Sequence, residues 1–316
     1  MRIICLIIVT ISHLFSQEWA GRPGGFLRMG LTARSIAMGG GFTAELDQSF
    51  PTFHNPAWSA FLTQRYFGTS YSNLTLDRRL AATSIALSLP PTAGVGIAWI
   101  YGGVGNIQGR YTTGLKSTEM QTGENALLIT FAQRIVPWLS VGANFKLFRY
   151  DLPITKSDQI SGTGVGFDIG MLFKTGKFTT FGLMIQDINS NYQWDTNEIY
   201  TQGGPYKDMF PIILRFGSRY KKNDLSVVGD IGFITDSMTR LLKNQHLFFG
   251  LLPRVGVEYA FLQQYFFRGG FGNGRFAFGF GYEYGLFNTR DSHIDYSFSL
   301  DWATQSSHTI SYAYNF

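Results

Sequence analysis

The chain has 316 residues, of which 45% are apolar, 16% aromatic and only 15% charged, with 37 glycines and a formal charge of +5. A typical cytosolic globule carries about 25% charged residues and a disordered chain is poor in aromatics, so 29 Phe, 16 Tyr and 6 Trp exclude both classes. A polytopic helical membrane protein is excluded as well: each span needs about 20 apolar residues in a row, and beyond the extreme N-terminus no such run exists, the mean hydropathy being +0.01.

In chain order, Arg2 followed by an apolar run from Ile3 and ending at Ser16 reads as a secretory signal peptide, residues 1–16, too short to span a bilayer. Cys5, the only cysteine, leaves with it, and export without disulfides suits a bacterial envelope protein. The modest basicity suits anionic lipid headgroups, whereas no Lys/Arg cluster points to nucleic acid.

Residues 17–64 do not alternate. Gly39 to Gly41 suits a tight turn, and Asn55 before Pro56 is a helix start: the Asn side chain caps an orphan amide, and Pro at the first helical position loses no hydrogen bond.

From Tyr66 onward, period-two segments dominate, and they are clearest near the C-terminus. Phe276, Phe278, Phe280, Tyr282 and Tyr284 alternate with Arg275, Ala277, Gly279, Gly281 and Glu283; Ile294, Tyr296, Phe298 and Leu300 alternate with His293, Asp295, Ser297 and Ser299. Fourteen segments are predicted, about 66–74, 79–89, 94–102, 124–135, 139–150, 162–174, 177–188, 209–220, 224–235, 247–261, 264–272, 275–286, 292–302 and 306–316. At about ten residues each they have the length a tilted strand needs to cross an apolar band about 25 Å tall. Short even-numbered connections, such as Thr175-Gly176, oppose long odd ones at 103–123, 151–161, 189–208 and 236–246, which puts both termini in the periplasm. The fold expected is all-β: a single transmembrane antiparallel barrel of about 14 strands over residues 65–316, preceded by a short N-terminal segment.

The inward parity carries Lys146, Arg215, Arg219, Arg254, Arg268 and Arg275 against Asp168, Asp230, Glu258, Glu283, Asp295 and Asp301, six of each sign. That balance predicts a polar interior that is salt-bridged or plugged, and the many inward glycines leave room for something inside the wall.

Taken in order, Ala33-Arg34-Ser35, Met38-Gly39-Gly40, Phe42, Asp47 and Asn55-Pro56-Ala57 resemble the N-terminal signature of FadL-like outer-membrane barrels, more particularly the PorV/PorQ family. The stretches Arg254 to Tyr259 and Phe267 to Phe271, with Asp295-Tyr296 and terminal Phe316, are similar to that family too, while Trp58 stands where it usually has Gly. The resemblance implies a fourteen-stranded barrel whose residues 17–64 fold inward as a hatch, with Arg34, Met38, Gly39, Gly40, Asp47, Asn55, Pro56 and Ala57 as its motif. It further implies either a role in type IX protein secretion or surface attachment, with secretion components or exported proteins as partners, or passive transport of a hydrophobic ligand across the outer membrane. Phe316 is similar to the C-terminal aromatic by which the barrel-assembly machinery recognises its clients.

Enzyme readings find little support. His54, His246, His293 and His308 are scattered, no metal-ligand spacing or cofactor motif occurs, and His293, Asp295 and Ser297 on one inward face are the nearest approach to a catalytic cluster. The loop 189–208, with Tyr192, Trp194, Tyr200 and Tyr206, is the most binding-like stretch; its aromatics can anchor a partner or fold over the barrel mouth, and the sequence leaves both open.

Overall fold

The computed structural model describes residues 21–46, 50–154, 159–197, 199, 201–235, 250–286, 291–301 and 305–316. The expected signal peptide, Asp47, Tyr200 and His246 lie outside them.

The predicted segments become β1 Tyr66–Leu74, β2 Arg78–Leu89, β3 Ala93–Arg110, β4 Lys116–Val136, β5 Leu139–Pro153, β6 Gln159–Thr175, β7 Thr179–Ile188, β10 Ile212–Lys222, β11 Leu225–Thr235, β12 Gly250–Phe261, β13 Tyr265–Gly272, β14 Arg275–Tyr284, β15 Ser292–Asp301 and β16 Gln305–Asn315. Each pairs antiparallel with its neighbour, β7 pairs with β10, and β1 closes on β16 from Tyr66 opposite Asn315 to Asn73 opposite His308, giving a closed fourteen-stranded barrel. Closure leaves no free edge, so every strand finds its backbone partners within the wall.

The side-chain parity follows the sequence. Phe276, Phe278, Phe280, Val255, Val257, Tyr259, Ile294 and Leu300 all point outward and are exposed, while Asp168, Asp230, Glu258, Arg268 and Asp295 are buried inside. Short turns and both ends of the barrel sequence, Tyr66 and Asn315, share one rim; the long hairpins rise from the other.

Two long connections differ from expectation. The segment 103–123 continues as strand, so that β3 has 18 residues and β4 has 21, with only 111–115 between them; unbroken β pairing satisfies the backbone that a loop would leave to water, and register shifts near Val104 to Arg110 mark where the ladder bends. The segment 189–208 holds a small hairpin, β8 Asn191–Asp195 with β9 Pro205–Met209, that is docked against β6.

The preceding segment occupies the lumen. It is built from short pieces: a 3-10 turn Gly25–Arg28, α1 Ala33–Ala37, α2 Pro51–His54 and a second 3-10 turn Pro56–Phe61. The start of α1 is closed by a reciprocal cap between Thr32 and Ser35.

Candidate functional site

The wall of the interior has two chemistries. Over β1 to β4 an apolar cluster stands among small hydroxyls, Ser70, Ser72, Ser84 and Thr130, a departure from the polar interior expected from the charges. Leu80, Ala82, Ala98, Ile100, Ala126 and Leu128 form one buried cluster, and Phe26, Leu27, Leu31 and Phe50 of the luminal segment pack on it. Sequence parity missed this face because both faces of these strands are apolar: Leu127, Ile129 and Phe131 point to lipid while Ala126, Leu128 and Ala132 point inward.

Tyr192 and Trp194 complete that cluster. Both are buried, Tyr192 lying within ring-contact distance of Phe148, Tyr150 and Phe210, and its hydroxyl donating to Glu124 at 2.9 Å. They fold inward over the barrel mouth; among the described aromatics of the loop, Tyr206 alone is strongly exposed. Burying amphipathic rings with their hydroxyl satisfied is what makes such a cap stable.

Over β5 to β15 the wall is ionic. Arg34 of α1 donates to Glu258 through Nε at 2.8 Å and through Nη2 at 2.9 Å. Arg268 binds the same Glu258 at 2.6 Å and Asp295 at 2.5 Å, and Arg219 reaches Glu45 at 2.8 Å. A second group joins Lys146 to Asp168 at 2.6 Å and to Asp187 at 2.8 Å, with Arg28 at 3.3 Å from Asp187. Charges buried this deeply persist only when paired and hydrogen-bonded, and here the pairing fastens the luminal segment to the wall.

Glycines take over where backbone meets backbone. A Cβ on Gly94 would collide with Ser59, on Gly182 with Thr43, on Gly256 and Gly270 with Met38, and on Gly272 with Gly39. Gly39 and Gly40 have φ of +66° and +76°, a conformation that glycine enters freely, and Gly40 O accepts from Arg254 Nη1 at 2.9 Å. Asn55 caps the Pro56 turn through Ala57 N at 3.1 Å, and its amide donates to Thr43 O at 2.8 Å and Met171 O at 3.2 Å. Pro56 and Ala57 are buried against Gly142.

The N-terminal signature and the C-terminal stretches that carried the family resemblance are therefore the two sides of one interface: Arg34 meets Glu258, Met38 lies on Gly256 and Gly270, and Gly40 binds Arg254. Phe316 points outward from the seam, its backbone paired in both directions with Arg65 at 3.0 Å. The His293, Asp295, Ser297 row forms no catalytic cluster: His293 lies 3.6 Å from Glu283 and Asp295 binds Arg268. Among the described residues no His, Cys, Asp and Glu group is arranged to hold a metal.

Between luminal segment and wall lies a cavity lined by Leu27, Met29, Ile36, Phe42, Phe53 and His54 of the segment and by Arg215, Arg254 and Arg275 of the wall. Burial, reinforced by Arg254, Arg215 and Arg34, pushes the His54 imidazole down to about 3, so the ring is neutral at ordinary pH. A second cavity opens near the short-turn rim, between Arg34, Lys221, Asp224 and His293.

A lipid-facing apolar skin, a closed fourteen-stranded wall and a filled lumen define a bacterial outer-membrane β-barrel. Among solved structures it is similar to the Ralstonia pickettii toluene transporter TbuX, with a TM-score of 0.64 at 15% identity over 91% of this chain and 98% of that one. It is similar as well to the Pseudomonas putida toluene transporter TodX, with a TM-score of 0.60 at 14% identity over 91% and 98%, and to a Pseudomonas aeruginosa FadL homologue, with a TM-score of 0.63 at 12% identity over 90% and 98%. These likenesses establish the FadL-like fold. No family model and no curated protein matches the sequence.

Proposed function

We propose that the barrel is a passive channel that carries hydrophobic small molecules across the outer membrane, gated by the luminal segment acting as a hatch. The observation that supports this best is the apolar face of the lumen over β2 to β4. Leu80, Ile100 and Leu128 lie there beneath the hatch, and a permeating apolar molecule needs surface of that kind to replace the water it sheds. Two neighbours in fold being toluene transporters supports the same direction. In this reading residues 1–16 are the export signal and Phe316 marks the chain for barrel assembly. The test is uptake of radiolabelled toluene by a host producing the barrel in its outer membrane. Several-fold faster uptake than in the empty-vector strain is expected, and equal uptake overturns the reading.

The signature Arg34, Met38, Gly39, Gly40, Asn55, Pro56 and Ala57 favours a second reading, a PorV/PorQ-like role in protein secretion or surface attachment. Each of these residues has a packing duty in the hatch, so the signature fits either function. In a clean deletion strain the secretion reading expects exported proteins to remain cell-bound and the barrel to co-purify with a large envelope complex; normal surface delivery removes it.

A further inference from the structure

We propose that the short-turn rim, over the sector from β4 to β11, is a binding surface for the headgroup phosphates of anionic phospholipids in the leaflet it touches. The argument begins with where the rim keeps its charge. The turns at 90–92 and 262–264 carry no ionised side chain, whereas the ends of β4, β6 and β10 and the turns that follow them carry Arg134, Lys174, Lys177, Lys221 and Lys222. Asp224 is the one acid of those three turns, and its carboxylate accepts a hydrogen bond from Gln263. Among the described residues Arg134, Lys174, Lys177 and Lys222 form no ion pair.

Geometry holds this charge at the level of the headgroups. The turns at 137–138, 176–178 and 223–224 are too short to lift a side chain far from the wall. Trp138, Phe178 and Tyr220 on the same sector are exposed and belong to the lipid-facing skin, and such aromatics mark the boundary between hydrocarbon and water. Lys222 Nζ lies 5.9 Å from the centre of the Phe178 ring, which is itself 6.3 Å from that of Tyr220. Lys221 N donates to Phe178 O at 2.8 Å, so the two lysine-bearing turns form one unit. On the luminal side of the rim, Lys174 Nζ and Arg134 Cζ lie 3.7 and 6.0 Å from the centre of the Phe61 ring, which carries the positive charge across the thickness of the wall. A lysine ammonium is a compact charge that takes a phosphate oxygen from many directions, and its apolar stem can lie along the hydrocarbon while the head stays in water. A phospholipid whose headgroup has its own amine is neutral and offers much less to this surface. An acidic protein would find these charges level with the membrane, whereas a headgroup phosphate meets them there.

The proposal rests on the barrel's place in the membrane and stands whether or not it transports. The test uses the whole barrel in phosphatidylcholine vesicles carrying a trace of one spin-labelled lipid, with the immobilised fraction read by electron paramagnetic resonance. Labelled phosphatidylglycerol should be held about fivefold more strongly than labelled phosphatidylcholine at low salt, and molar salt should abolish most of that preference. Labelled phosphatidylethanolamine should behave as phosphatidylcholine does. The paired change Lys177→Gln with Lys222→Gln should remove most of the preference, whereas Arg149→Gln on the opposite rim should keep it, both proteins retaining heat-dependent gel mobility. Equal retention of all three lipids, or a preference that survives the paired change, overturns the proposal. Binding of soluble poly-glutamate without any lipid preference overturns it as well and assigns the surface to an acidic protein. Should the paired variant fail to fold, the wild-type comparison and its loss in salt decide the matter.

Discussion

The two halves of the lumen hold the same hatch by different means. Over β1 to β4 most of the contact is apolar, with Phe26, Leu27, Leu31 and Phe50 on Leu80, Ile100 and Leu128, joined by a neutral hydrogen bond between Thr52 Oγ1 and Ser84 Oγ at 3.0 Å and by one close backbone approach at Gly94. Over β5 to β15 the contact is made chiefly of ion pairs, among them the bidentate Arg34–Glu258 pair, and of glycine-lined backbone approach, which set direction as well as distance. The segment is thus held by directional, charged contacts on one flank and mainly by apolar ones on the other, so the apolar flank is expected to yield first.

Experiments can break each flank in turn. The largest effect is expected from Arg34→Ala, which strands Glu258 beside Arg268 alone; losing one partner of a buried pair costs about 3–5 kcal/mol, read as lowered thermal stability and new protease cleavage within residues 21–64 while the barrel keeps its heat-dependent gel mobility. Next comes Leu128→Ala on the apolar flank, where deletion of a fully buried side chain costs about 2–4 kcal/mol. The comparison sharpens here: this variant should leave Arg34 paired and the hatch protected, with stability alone reduced. If Leu128→Ala exposes the hatch to protease as fully as Arg34→Ala does, the two flanks are equivalent and the distinction is lost. Asn55→Ala, which removes a cap, should cost about 1–2 kcal/mol in the same melts.

Acidity gives a subtler probe. Because burial, with nearby arginines, lowers the folded His54 imidazole to about 3, the unfolded chain binds a proton below about 6.5 that the folded chain refuses. Stability is therefore full above that pH and is lost progressively as pH falls toward 3. Replacing His54 by Phe should flatten the melting temperature between pH 7 and 4 relative to the wild type, and an unchanged slope would show that the ring is not shielded as described.

Much of the wall was legible because a strand's two faces alternate strictly: Phe276 to Tyr284 and Ile294 to Leu300 announced their lipid side unaided. Alternation fails where both faces are apolar, so the inward run of Ala126 and Leu128 needed the pairing register to be seen. Nor could spacing join Arg34 to Glu258, which lie 224 positions apart; only the resemblance hinted that the two stretches belong together. For Tyr192 and Trp194 the composition of the loop was compatible with display and with burial alike, and the aromatics Phe148, Tyr150 and Phe210 that draw them inward come from two other segments.

The glycines of the wall carry one more consequence. At Gly94, Gly182, Gly256, Gly270 and Gly272 the missing side chain matches the track of Ser59, Thr43, Met38 or Gly39, so the strands bear an imprint of the segment they enclose. The course of the hatch is thus written twice, once in its own residues and once as a trail of omissions in the barrel, and a change of course would require both texts to be rewritten together.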